Sequence, residues 1–438
     1  MKTLGSILIV ILTSLFYFPF NTSLLPTVNT KMMIATVGLI LFFYQAAKRR
    51  NAEVDSTFMS VSLWALLVSA IALFSALVND SGDYTYASYI VSAWVWMGGA
   101  YTVIKCIKAV YGKATLRLLT NFLVIVCVAQ CIISQIIDMN ASFAEWVDSF
   151  MVSTGFMGKA ESRLYGIGCA LDVAGLKFCA VLILLAYFAI NPSRRINVYI
   201  ETSLYIVAFF IITILGSMIS RTTSIGVLIV IAYWIWEFIH NSKHPVFIHQ
   251  SKYFRSVMSV TLILLIPSLI YLYQANADFY EKLRFGFEGF FSLAEKGEWD
   301  VSSNDRLMGM WIWPDNLGTW LIGDGYFNSP DANPYYIGPS FEGYYMGTDI
   351  GYCRFIFYFG LIGLTVFSAY FFNCARRCSL LMPQCQILFW LILLINFIGW
   401  AKVSSDIFPI YALMLMLEKE SVKILNNQSI KNFNFTET

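Results

Sequence analysis

The stretch RLYGIGCALDVAGLKFCAVLILLAY, from Arg163 to Tyr187, decides the fold class. It starts with a charged residue and then becomes a long apolar run in which only Asp172 and Lys177 carry charge. An apolar run of about 17 to 25 residues is long enough to cross the hydrocarbon core of a bilayer as a helix. We therefore predict a membrane span at about residues 166–190.

The rest of the chain repeats this pattern. Of its 438 residues, 58% are hydrophobic and 13% are charged, and the mean hydropathy is +0.66, which lies well outside the range of soluble proteins. We predict an all-α polytopic membrane protein with about 12 transmembrane helices, in a single integral membrane domain over residues 1–438. The predicted spans are 5–25, 32–47, 57–78, 86–105, 117–137, 166–190, 198–219, 222–240, 257–274, 352–374, 384–401 and 406–418.

Charge distribution predicts the sidedness of these spans. Basic residues gather in alternate connections, for example at 48–50, 194–195 and 376–377. The positive-inside rule makes these connections cytoplasmic and places both termini in the cytoplasm. The first run, MKTLGSILIVILTSLFYF, lacks a small-residue cleavage site and is interpreted as an uncleaved span. The net charge of +2 gives no indication of a nucleic-acid partner.

Two connections on the predicted outer side are long, at about 138–165 and 274–351, and long ordered loops are often functional. The first contains FAEWVDSFMVSTGF and the second DFYEKLRFGFEGFFSLAEKGEW, each with apolar residues at helical spacing. We predict amphipathic interfacial helices that cover the bundle or admit lipid. Lys282 falls outside the apolar stripe. Further on, Ser302 and Asp305 predict a capping box on a short helix that carries Arg306 and stops by Pro314.

Charges inside a membrane span are costly and tend to mark function. Asp172 and Lys177 share one predicted span, but a five-residue offset is poor for direct pairing on one helix. Each is therefore a candidate for polar support of a site or for a structural pair.

Four arginines lie at about the same outer level on this topology. Arg163 precedes one span, and Arg221 occupies the tight turn GSMISRTTSIG between two others. Arg306 lies in the second long loop, and Arg354 follows Asp349 at the mouth of the span that starts TDIGYCRFIFYFGLIG. Arginine offers planar bidentate donors that suit phosphate or diphosphate. The alternatives are that Arg221 anchors its hairpin to lipid phosphate and that Arg354 snorkels to the interface.

A sugar transferred from a lipid diphosphate needs cations that stabilise the departing phosphate and a base that deprotonates the attacking hydroxyl. Arginines meet the first need. Asp349 is the leading candidate for the base, with Glu342, Asp324 and Asp172 as competitors. No compact Asp-x-Asp pair occurs in either long loop, so we expect arginine rather than a divalent cation to bind the diphosphate. The cysteines and histidines predict no metal site, and no cofactor is expected.

The order of five motifs resembles the O-antigen polymerase and ligase superfamily, over about residues 161–371. The motifs are Arg163-Leu-Tyr-Gly166, Ser220-Arg221, Asp305-Arg306, Gly323-Asp-Gly325 and Asp349-Ile-Gly-Tyr352 before FGLIG.

The resemblance implies a many-span enzyme of the bacterial inner membrane that acts on undecaprenyl diphosphate-linked glycans at the periplasmic face, in the biosynthesis of lipopolysaccharide or a related surface polysaccharide. Ligases of that superfamily typically have a His-Asn pair where this chain has Thr348-Asp349, which favours the polymerase branch. The roles then expected are Asp349 and Arg306 in catalysis, and Arg163, Arg221, Arg306 and Arg354 in diphosphate binding.

Two alternatives stay open. A glycan ligase would transfer the finished glycan to lipid A-core through the same phosphate chemistry. A lipid-linked oligosaccharide flippase or other transporter would need a polar pathway that reaches both faces. The expected partners are the lipid-linked glycans, the bilayer and a chain-length regulator.

Overall fold

A computed structural model describes residues 2–48, 52–152, 163–193, 197–241, 245–330 and 343–418, with side chains throughout except at 52–55 and 245–250. These residues are helical almost throughout, with one small antiparallel sheet. Ten of the described helices are long and apolar enough to cross a membrane. The predicted class, an all-α polytopic membrane protein, is therefore confirmed.

The helices are α1 (Lys2–Tyr17), α2 (Thr30–Lys48), α3 (Ala52–Val78), α4 (Tyr89–Tyr111), α5 (Leu116–Met139), α6 (Ala141–Phe150), α7 (Leu171–Ile190), α8 (Val198–Ile219), α9 (Thr223–His240), α10 (Pro245–Ala275), α11 (Ala277–Gly286), α12 (Glu288–Lys296), α13 (Ser302–Met308), α14 (Leu317–Ile322), α15 (Gly351–Leu381), α16 (Gln386–Trp400) and α17 (Phe408–Leu415). The strands β1 (Asn21–Thr22) and β2 (Leu25–Asn29) pair antiparallel.

The first and last predicted spans are shorter than expected. Helix α1 ends at Tyr17, before Pro19, and the sheet takes up the next residues. Proline has no backbone N–H and disfavours continuation of a helix. Helix α17 has only eight residues, all buried. At a rise of about 1.5 Å per residue it extends about 12 Å, less than half of a bilayer core.

Helix α7 lies at the centre of the bundle and packs against α5, α8, α9 and α16. Within this helix, 89% of an 18-residue segment, long enough to cross a bilayer, is buried. Its close contact with α9 requires Gly226, because a Cβ there would lie 2.6 Å from the Cα of Cys179. Helices α7, α9 and α15 begin at the end of the bundle where α8 and α16 end. We call this the cavity end.

The described parts of the two long connections lie at the cavity end. They contain the predicted short helices as α6, as the pair α11 and α12, into which one predicted helix divides at Phe287, and as α13, whereas α14 was not predicted. Helix α11 docks on the end of α8, where a Cβ on Gly286 would lie 3.0 Å from the carbonyl of Ser217. Lys282, which the pattern placed outside the apolar stripe, is only 3% exposed. Its ammonium pairs with Asp138 at the end of α5 and with Asp278 at 2.6 Å. These ion pairs fasten the second connection to the bundle.

Helix α15 is broken at Phe359 and Gly360, where Gly360 has φ +64°. The break leaves carbonyls without helical partners. The backbone N–H of Asp324 donates to the carbonyl of Phe357 at 2.6 Å, and that of Gly325 donates to Tyr358 at 3.1 Å. In a membrane, such freed groups must find partners within the protein. The Gly323-Asp-Gly325 motif therefore has a structural role, which is to fill the break in α15.

Candidate functional site

A cavity of about 170 Å³ opens at the cavity end, between the starts of α7 and α15, the α8–α9 turn, α11 and α13. We call it the arginine cavity. Its lining residues are Arg163, Leu171, Asp172, Arg221, Phe285, Ser303, Arg306, Leu307, Met310, Asp349 and Lys402.

Five of the residues that the sequence singled out line this cavity, and three do not. Arg163, Arg221, Arg306, Asp172 and Asp349, from four separate parts of the chain, come together here. Arg354, Lys177 and Asp324 lie elsewhere. Glu342 lies outside the described residues.

Asp172 and Lys402 form an ion pair in the cavity wall, with the ammonium 2.9 Å from Oδ1 of Asp172. The same carboxylate oxygen accepts hydrogen bonds from the hydroxyls of Ser220 at 3.0 Å and Thr222 at 2.5 Å. Lys402 also donates to the Thr222 hydroxyl at 3.1 Å. This network joins the first turn of α7, the α8–α9 turn and the segment after α16.

Sequence reasoning missed Lys402. The signal was present, because a lysine directly after the span that ends near residue 401 falls on the side from which most basic residues are absent. Because Lys402 pairs with Asp172, Lys177 is not the partner of that carboxylate.

Arg221 is fixed by three groups. Its Nε donates to the carbonyl of Phe285 at 2.9 Å, and its guanidinium lies 2.9 Å from Glu288 and 3.2 Å from the Ser302 hydroxyl. Partial burial, together with the nearby Arg163 cation, lowers the pKa of Arg221 below its usual value, and Glu288 opposes this shift.

The ring of Phe285 brings the two arginines together. Its centroid lies 4.1 Å from the guanidinium carbon of Arg221 and 4.8 Å from that of Arg163. Attraction to the negative ring face offsets part of the repulsion between two cations.

Arg306 projects into the cavity from α13. The predicted helix is confirmed, but the predicted capping box is wrong. The N-cap residue is Val301, and no side chain caps this helix. The Ser302 hydroxyl instead donates to Glu288 at 3.1 Å. Tertiary partners of Ser302 therefore replace the local capping interaction.

Asp349 lies just before α15 in the cavity wall. Its position is fixed by the fully buried Thr348, whose hydroxyl donates to the carbonyl of Met310 at 2.7 Å. Burial raises the pKa of the Asp349 carboxyl, and the negative charge of Asp172 raises it further. Arg354, Arg306 and Lys402 act in the opposite direction.

Arg354 is held away from the arginine cavity. It is 4% exposed, and its guanidinium carbon lies 3.6 Å and 3.5 Å from the ring centroids of Phe327 and Tyr344. It donates to the Ser404 hydroxyl at 2.6 Å and to the carbonyl of Phe327 at 3.1 Å. These contacts tie α15 to the second connection and to the segment after α16.

Lys177 and Asp324 also make structural contacts. Lys177 is 5% exposed, and its ammonium lies 5.2 Å from the ring centroid of Phe18. Asp324 accepts hydrogen bonds from the hydroxyls of Thr319 at 2.5 Å and Tyr345 at 3.1 Å.

The arginine cavity carries four cationic side chains and two carboxylates. With all six ionised, these side chains carry a net charge of +2, which the Glu288 carboxylate beside Arg221 lowers to +1. This positive charge and the geometry of guanidinium donors suit a diphosphate. Comparison of the chain with protein-family models, with curated proteins and with solved structures finds no match in any of the three.

Proposed function

We propose that this chain is a membrane glycosyltransferase that polymerises oligosaccharide repeat units carried on undecaprenyl diphosphate, as in the synthesis of O-antigen or a related surface polysaccharide. The observation that carries this proposal is the arginine cavity. It gathers Arg163, Arg221 and Arg306 with Asp349 at one end of a membrane-spanning bundle.

The donor diphosphate occupies the arginine cavity in this proposal. Arg163, Arg221 and Arg306 contact its oxygens and stabilise the charge that grows as the sugar departs. The Glu288 carboxylate pairs with the Arg221 guanidinium at 2.9 Å, and the phosphate oxygens of a bound donor compete with it for the N–H groups of that guanidinium. Lys402 adds a fourth cation and holds Asp172 in the wall.

Asp349 is the general base. It accepts the proton of the acceptor sugar hydroxyl while that oxygen forms the new glycosidic bond to the anomeric carbon of the donor. The bond from that carbon to the phosphate oxygen breaks, and its electron pair leaves with the polyprenyl diphosphate. A carboxylate with a raised pKa is a stronger base, so the shift on Asp349 favours this role.

Arg354, Lys177 and Asp324 support the fold around this site in the proposal. The reaction is placed at the periplasmic face of the bacterial inner membrane, with both termini in the cytoplasm. A chain-length regulator is the expected protein partner.

The test is a gel of surface polysaccharide from a strain that lacks the gene, with lipid-linked intermediates extracted in parallel. A ladder reduced to one repeat unit on lipid A-core supports the polymerase. A bare core with long lipid-linked chains indicates a ligase instead. An unchanged ladder rejects both activities.

A further inference from the structure

Two further cavities lie away from the arginine cavity, toward the opposite end of the bundle. One is a groove of about 630 Å³ between α5 and α8. The other is a polar chamber of about 480 Å³ that adjoins the end of the groove, and Asn121 of α5 lines both. We propose that together they bind one anionic glycerophospholipid of the leaflet opposite the arginine cavity.

The groove has the character of an acyl-chain site. Its walls are aliphatic apart from Asn121, Glu201 and Tyr205 at one end. Several wall residues are strongly exposed on the outside of the bundle, with Leu204 67%, Ile125 49% and Val207 47% exposed. These side chains lie on membrane-length helices, so hydrocarbon is the expected neighbour.

The length of the groove matches one leaflet. It extends along α5 from Asn121 to Ile132, a distance of about 16 Å at a rise of about 1.5 Å per residue. Half of a bilayer core of about 30 Å is about 15 Å. The groove ends before the cavity end of α5 and α8, so its occupant has its headgroup at the opposite end of the bundle.

The polar chamber supplies the headgroup contacts. Lys113 and Arg117 line it, together with Tyr111, Tyr187 and Gln384. Glu201 neutralises Arg117, with an oxygen 2.7 Å from the guanidinium, and its other oxygen accepts from the backbone N–H of Ser193 at 2.6 Å. Lys113 is exposed, and no described carboxylate lies within ion-pair distance of it. The chamber therefore keeps an excess positive charge, which favours an anionic lipid over a zwitterionic one.

The experiment uses the full-length protein, purified in detergent and stripped of lipid, with native mass spectrometry as the readout. The probes are phosphatidylglycerol and phosphatidylcholine with the same two oleoyl chains. We expect one phosphatidylglycerol per chain and clearly weaker retention of phosphatidylcholine. Equal retention of the two lipids overturns the proposal.

Three variants locate the site. Lys113→Gln should weaken phosphatidylglycerol binding about fivefold, because a basic residue near the headgroup contributes about 1 kcal/mol. Ala129→Trp fills the groove and should abolish the bound lipid. Leu228→Trp is the matched control, since Leu228 is 49% exposed on α9 and lies outside the groove.

Retention of the lipid by the groove-filling variant, or its equal loss from the control, overturns the proposal. If Ala129→Trp does not elute as a single species, Val207→Trp makes the same test at a more exposed wall position. The measurement does not depend on glycan transfer, so its outcome is independent of the proposed function.

Discussion

Asp349 combines a partly buried position with a proposed role, that of general base, which requires its charge. Asp349→Asn removes the base and should lower polymerisation at least about 100-fold. In the wild type, the raised pKa means that ionisation of Asp349 opposes folding. That destabilisation develops as the pH rises from about 4, the usual Asp pKa, through the raised value. The variant should therefore unfold at a higher temperature than the wild type at neutral pH. Activity should in turn be lost as the pH falls through the raised pKa.

Gel ladders and thermal unfolding in detergent measure both effects. Normal chain length in Asp349→Asn removes this residue from the mechanism. A variant that is inactive and also less stable at neutral pH indicates a structural role instead.

Arg306 tests diphosphate binding. Arg306→Ala should reduce the ladder to a single repeat unit, because its charge then no longer acts on the leaving group. The matched control is Arg284→Ala, which removes an arginine from the same connection. Arg284 pairs with Glu295 at 2.6 Å and does not line the arginine cavity. Both variants should reach the membrane in normal amounts. Equal loss of activity in the two variants argues against a specific role for Arg306.

Arginines near the ends of the predicted spans indicated most of the arginine cavity. A charged side chain at such a position is expected at the end of the bundle, because burial in hydrocarbon is costly. The sequence could not separate Arg221 from Arg354. Their environments depend on Phe285 and on Phe327 with Tyr344, which are distant in the chain. Lys402 was missed for a related reason, since its partner Asp172 lies 230 positions earlier.

The Asp172–Lys402 pair links elements rather than single residues. Lys402→Met leaves the Asp172 carboxylate unpaired and should lower the free energy of unfolding by about 1–3 kcal/mol. The lower end applies if solvent reaches the pair, whose side chains are 24% and 21% exposed. Adding Asp172→Asn should restore part of the loss, as measured by thermal unfolding. A double variant no more stable than Lys402→Met contradicts this account.

The break in α15 gives a prediction for a whole element. Gly360→Ala places a Cβ 2.2 Å from the backbone of Leu321 at a φ that L residues rarely adopt. We expect a loss of stability of about 2–4 kcal/mol. Gly343→Ala is the control, since its Cβ would meet no atom within 4 Å. Measured yield and unfolding temperature should fall only for Gly360→Ala. Similar behaviour of both variants rejects the close packing of α14 in the break.

Helix positions followed from hydrophobic run length, since a span in lipid requires a continuous apolar helix. The break in α15 did not, because FYFGLIG reads as one uninterrupted run. Partners that are distant in the chain stabilise the interruption: residues 323–325 and Ser75, whose hydroxyl donates to the carbonyl of Tyr358 at 2.7 Å. The length of the last predicted span, at 406–418, was overestimated, because the apolar sequence of α17 suits a protein interior as well as a membrane.

The orientation of the whole molecule is a separate prediction from the positive-inside rule. In a Cys106→Ser background, Met308→Cys should react with an impermeant thiol reagent added to intact cells that have a permeabilised outer membrane. Met308 is 72% exposed near the arginine cavity. Lys113→Cys, toward the opposite end, should react only after the inner membrane is opened. The reverse pattern places the arginine cavity in the cytoplasm and contradicts the proposed reaction.

The interrupted α15 has a consequence for biogenesis. During synthesis, residues 351–381 leave the ribosome after residues 323–325, and the translocon passes helices into lipid. An isolated α15 broken at Gly360 would carry free carbonyls in hydrocarbon, so we expect the segment to enter the bilayer as a continuous helix. We expect it to unwind when the Gly323-Asp-Gly325 turn and the Ser75 hydroxyl reach the freed carbonyls. Completion of the arginine cavity, whose Asp349 lies just before this helix, should then follow insertion as a late maturation step.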